Sequence, residues 1–142
     1  MKKSKKKLLN QEIKMKIVLD TNVLISSLIN PNGHPAAVLN LILLDEILLL
    51  YDLRIINEYR NVLSRKKFSF NSNIYEPLLE YFIDNGIFVI PKPVKTNFAD
   101  KDDLIFYEVA HSGEADFLIT GNIKHYPKEK LIVTPSLFLE KF

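Results

Sequence analysis

The side chains with most chemical promise are carboxylates at the borders of apolar runs. Asp20 closes Lys16-Ile17-Val18-Leu19 and precedes Thr21-Asn22-Val23-Leu24. Asp102 and Asp103 open a helical stretch after a Pro-rich loop, and Asp116 precedes Phe117-Leu118-Ile119-Thr120. Glu58 lies among Ile55, Ile56 and Tyr59, on the border of a buried helix face. Acids gathered at one place repel one another unless a cation sits among them. Oxygen donors of this kind suit Mg²⁺ or Mn²⁺, and such a site supports phosphodiester hydrolysis. Each acid also has a plainer reading. Asp20 suits an N-cap, Glu58 a surface helix position, Asp100 or Asp102 a helix cap, and Asp116 a turn. Asn122, after Thr120-Gly121, can offer a metal its carbonyl oxygen but no charge.

Other chemistries find less support. There is no cysteine, so disulfides and thiolate metal sites are excluded and a reducing cytosol is the expected location. His34, His111 and His125 form no His-x-x-x-His pair, which argues against a zinc enzyme. There is no Walker loop, no Gly-x-Gly-x-x-Gly and no serine in a nucleophile elbow.

The acids need a frame that carries them to one rim. The apolar runs Lys16–Leu19, Ile47–Tyr51, Ile87–Ile90, Phe117–Thr120 and Leu131–Val133 read as strands. Between and after them, helices are predicted over Thr21–Ile29, Pro35–Leu44, Leu53–Arg65, Ile74–Asp84, Asp102–Ser112 and Pro135–Phe142. Pro91 and Pro93 enforce an extended connection. Alternating strands and helices predict an α/β fold with a mostly parallel sheet covered on both faces. Ligands then bind beyond the carboxyl ends of the strands.

The 142 residues fit one domain over 15–142, preceded by a basic extension over 1–14. That extension holds six lysines and one glutamate, leaving 13 basic and 16 acidic residues of the chain's 19 and 17. The body is therefore mildly acidic. The extension is expected to be flexible and solvated, with contact to nucleic-acid phosphates as the alternative. No apolar run reaches the roughly 18 residues that span a bilayer, and no signal peptide is read. Arg65-Lys66-Lys67 is a candidate for holding RNA phosphates, or else a solvated helix end where cations suit the dipole.

In order along the chain, Val18-Leu19-Asp20-Thr21-Asn22-Val23, Glu58, Asp102-Asp103 with Ala110, Ala115-Asp116-Phe117-Leu118-Ile119-Thr120-Gly121-Asn122 and Ile132-Val133-Thr134-Pro135 resemble the PIN-domain ribonucleases. The resemblance covers Met15 to Phe142, and more narrowly the chain looks like the toxin components of toxin–antitoxin pairs (VapC-like). It implies a three-layer α/β/α sandwich and Mg²⁺- or Mn²⁺-dependent cleavage of RNA. It implies Asp20, Glu58 and Asp103 as the catalytic acids, with Asp20, Asp103, Asn122 and Asp116 around the metal. Asn22, Thr120 and Asp102 support them, Thr120 by orienting Asp20. It also implies a homodimer and a small antitoxin partner. The departure is Asn122, where many members carry aspartate. The lost charge argues for one metal, unless Asp116 makes up for it. A catalytically weak PIN fold that binds RNA or protein is the alternative function.

Overall fold

A computed structural model describes residues 14–95, 97–98 and 100–142. All but the last residue of the expected basic extension lies outside them. That last residue, Lys14, pairs with Asp45 at 2.9 Å.

The chain runs β1 (Lys16–Leu19), α1 (Thr21–Ile29), α2 (His34–Leu43), β2 (Leu48–Tyr51), α3 (Leu53–Leu63), α4 (Ser72–Asn85), β3 (Ile87–Phe88), α5 (Lys101–Ser112), β4 (Phe117–Ile119), β5 (Ile132–Val133) and α6 (Pro135–Lys141). Short 3₁₀ turns lie at Lys66–Phe68 and Ile123–His125. The five strands form one sheet in the order β3-β2-β1-β4-β5, every pair parallel. With helices over both faces this is the three-layer sandwich the strand–helix alternation predicts. Burial on both faces explains why the strands are continuous apolar runs: all four residues of β2 are buried, as are Ile17, Val18 and Leu19 of β1.

The differences from the sequence reading are local. β3 ends two residues early, because after Val89 N–H reaches Tyr51 O the Pro91–Pro93 connection leaves the sheet. α4 starts earlier, at Ser72, because the Asn71 side chain caps it by accepting from Asn73 N–H at 2.9 Å. Neither 3₁₀ turn was legible, since three residues carry no periodicity.

The strand order sets the position of the site. From β1 the chain winds outward through β2 to β3, then returns to β4 on the other side of β1 and continues to β5. The winding reverses between β1 and β4, so a crevice opens beyond their carboxyl ends. Leu19 is opposite Ile119 in that register. The next residues, Asp20 and Thr120, therefore meet at the mouth of the crevice.

Candidate active site

Asp20 continues β1 by donating its N–H to Ile119 O at 3.0 Å, then caps α1. Its Oδ1 accepts from Asn22 N–H at 3.4 Å. Its Oδ2 accepts from the Thr120 hydroxyl at 2.7 Å and the Tyr126 hydroxyl at 3.2 Å. Three of about four lone-pair positions are thus occupied, and one remains for a further partner. The cap and the candidate acid are one side chain. Thr120 is wholly buried at the end of β4, and its oxygen also accepts from Asn122 N–H at 3.0 Å. The Tyr126 phenol resists ionisation, through burial first and then the neighbouring Asp20 charge. It stays a donor at working pH.

Asp20 lines a cavity of about 180 Å³ together with Glu58, Asp100, Asp102 and Asp103, and Arg65 also faces it. Glu58 arrives from α3, which Asp52 starts by accepting from Ile55 N–H at 3.0 Å. The buried Ile55, Ile56, Tyr59, Val62 and Leu63 hold that helix against the core and fix the direction of Glu58. Asp102 and Asp103 arrive on the first turn of α5, where the helix dipole favours acids. Asp100 is the residue that caps it, accepting from Asp102 N–H at 2.9 Å.

The acids raise one another's proton affinity. Burial, then Asp20 and Asp100, push the Asp103 carboxyl up to about 6, against a downward pull from His125. Burial, then Asp102, raise Glu58, with Arg65 pulling the other way. His125 stands 3.2 Å from Asp103 through Nδ1, while its Nε2 is 2.9 Å from the Asn122 amide nitrogen. As the amide is oriented, it donates to Nε2, which leaves the Nδ1 proton directed at Asp103.

Asp20, Glu58, Asp102 and Asp103 thus line one cavity, with Asn22 at its edge and Thr120 behind Asp20. Asn122 does not line it, since its side chain is engaged by His125. Asp116 is a correction. It precedes β4, at the amino end of the sheet, and its Oδ2 accepts from Lys16 N–H at 2.8 Å. A parallel sheet puts that end away from the acids, so Asp116 neither joins a metal there nor replaces the charge missing at Asn122. Of the basic trio, only Arg65 lines the cavity. Lys66 and Lys67 lie on the following 3₁₀ turn, with the Lys67 ammonium 5.0 Å from the Phe68 ring centre. Three contributors were missed in the sequence. Asp100 figured only as a cap. His125 and Tyr126 lie in an aperiodic turn, and their spacing from Thr120 was the one signal available.

A model of the PIN domain matches residues 16–124. This chain belongs to the PIN domain family. PIN domains are as a rule nucleases that use divalent metals, and the α/β/α sandwich agrees with that membership. The PIN domain is also similar to an uncharacterized protein of Methanocaldococcus jannaschii, 38% identical over 118 residues that cover 79% of this chain and 74% of the other. No solved structure matches it. Among the described residues of this PIN domain, no helix is long and apolar enough to cross a membrane.

The donor set fits a hard cation. Every acid at the cavity offers oxygen, Asp20 keeps a lone pair unused, and Asp103 and Glu58 have their proton affinities raised by burial first and by neighbouring carboxylates second. Among the described residues no three acids or imidazoles close tightly enough to make a complete cage. Mg²⁺ and Mn²⁺ keep several waters and take only one or two carboxylates.

Proposed function

We propose that this chain is a divalent-metal-dependent endoribonuclease that hydrolyses RNA phosphodiester bonds with Mg²⁺ or Mn²⁺. The reading rests on one observation: Asp20 at the cap of α1, Glu58 within α3 and Asp103 on the first turn of α5 line one cavity while Thr120 and Tyr126 clamp Asp20. Asp20 and Asp103 would hold the ion. A bound divalent ion supplies Lewis acidity at phosphate oxygens and lowers the pKa of water. Thr120 and Tyr126 fix the Asp20 carboxylate in one orientation, so no reorganisation is needed at the moment of reaction. Glu58, with its raised proton affinity, is suited to take the proton of the attacking water. Arg65 is the cation at the cavity and can face a phosphate oxygen, with Lys66 and Lys67 extending the positive stretch. Asn122 adds no charge, which favours one metal.

We further propose that the chain is the toxin of a toxin–antitoxin pair, acting as a cytoplasmic homodimer neutralised by a small protein. This rests on the motif resemblance alone. Expression should then arrest growth, and Asp20→Asn should relieve the arrest.

The decisive experiment is cleavage of single-stranded RNA with Mn²⁺ or Mg²⁺, with EDTA, and with Asp20→Asn. Cleavage should need the metal and vanish in the variant. Equal cleavage by Asp20→Asn overturns the mechanism. RNA binding without cleavage or Mn²⁺ uptake would instead favour a catalytically silent module.

A further inference from the structure

A second cavity, of about 270 Å³, opens beside the acidic one. Asn22 lines both, so the two cavities meet at that residue. Their chemistry is opposite. Five carboxylates and Arg65 line the first, whereas no carboxylate, lysine or arginine lines the second. His34 and Pro35 bring an imidazole and an apolar pyrrolidine ring from the start of α2, and Ser26 and Ser136 bring hydroxyls from α1 and α6. Gly121 forms the side nearest β4. A Cβ built there meets nothing within 4 Å, so that wall is bare backbone.

This cavity lacks the cations that would hold a phosphate, and its mostly apolar wall carries a few hydroxyl and amide groups. A flat ring with hydrogen-bonding edges fits both facts. Single-stranded RNA presents such rings when its bases unstack, and proteins read them by stacking on rings and bonding to base edges. Ser26, Ser136 and Asn22 each offer a donor and an acceptor. The volume lies just below the range for drug-sized ligands, which suits a single base.

We propose that this cavity receives the nucleobase of the nucleotide flanking the phosphate held at Asp20, and so selects which base stands beside the cut. The proposal rests on the ribonuclease reading above for its substrate, but its binding step is testable without catalysis. Asn22, where the two cavities meet, stands at the junction of base and phosphate.

The test adds each of the four ribonucleosides, at millimolar concentration and without metal, to the isotope-labelled full chain and follows the amide NMR signals. At least one nucleoside should shift Ser26, His34 and Ser136, and more strongly than the other three. Gly121→Phe fills the cavity from a position of ordinary negative φ and should abolish these shifts. Ser136→Trp fills it from the other side, and a folded spectrum from either variant suffices. Asp20→Asn should retain them. Sequencing the ends of randomised RNA after cleavage should show one base favoured at one position beside the cut. Filling the cavity should lower kcat/KM for that base about tenfold and flatten the preference. Nucleoside shifts in a chain that cleaves nothing would sink the nuclease reading and leave the base site standing. Cleavage with no nucleoside shift, or a preference unchanged by both filling variants, would overturn the base site alone.

Discussion

Thr120 and Asp20 lie a hundred positions apart and share a hydrogen bond of 2.7 Å between Oγ1 and Oδ2, where Thr120 has no solvent exposure and Asp20 4%. The bond exists because Leu19 and Ile119 are register partners, so the first residues beyond both strands are brought face to face. Tyr126 completes the clamp from the turn that follows β4.

Replacing Thr120 with valine keeps the shape and deletes the donor. Asp20 then rests on Tyr126 and Asn22 N–H alone. We expect Mn²⁺ affinity or cleavage to fall roughly tenfold to a hundredfold, the usual effect of removing a group that orients a metal ligand. Stability should fall by about 1–3 kcal/mol, because a buried carboxylate loses a partner. Calorimetric Mn²⁺ titration and denaturant melts measure the two effects. Wild-type affinity in Thr120→Val would show that the clamp has no functional part.

Asp116→Ala should do the reverse. The carboxylate holds Lys16 N–H at the far rim, so its loss should cost about 1 kcal/mol of stability. Mn²⁺ affinity and RNA cleavage should be unchanged. A drop in metal affinity beyond that seen for a surface alanine control would return Asp116 to the metal site.

The Asp103 carboxyl predicts a pH effect with an unusual sign. Its folded pKa of about 6 lies above the ordinary 3.8, so between those values the native state binds more protons than the unfolded one. Stability from this group is fully present below about pH 4 and is lost as pH rises through about 6. With the partial exposure of the side chain, the loss is about 1 kcal/mol. Asp103→Asn should remove that slope in thermal melts run in EDTA, and should be the more stable protein at neutral pH. The same titration makes Mn²⁺ affinity climb through pH 6, since the ion must displace the proton. Parallel melting curves for the two proteins across this range would refute the assignment.

Gly86 ends α4 where a Cβ would stand 2.6 Å from both Leu49 O and Phe82 O. Backbone oxygens cannot swing away as a side-chain tip can. Gly86→Ala should destabilise the fold by about 1–3 kcal/mol, read from the urea midpoint. Cleavage per folded molecule should be preserved, as Gly86 is remote from the acids. An unchanged midpoint would mean that α4 shifts freely against β2.

Much of this protein was legible in its sequence because the signals are local. Lys16–Leu19 and Thr21–Ile29 are found with the bounds predicted for them, since a buried strand, an acid cap and a helical period lie within a few residues of one another. Glu58 at the border of a buried face and Asp102-Asp103 on a first turn follow from the same 3.6-residue spacing. What local pattern cannot carry is which end of a strand a residue occupies relative to distant strands. Asp116 and Thr120 flank the same three-residue strand, and only the parallel register assigns one to the far rim and the other to Asp20. Likewise Asp100, His125 and Tyr126 gain their roles from groups they meet across the sheet and helices, at separations no periodicity reports. Hydrophobic spacing chooses the elements; the order in which strands hydrogen-bond chooses the neighbours of each carboxylate.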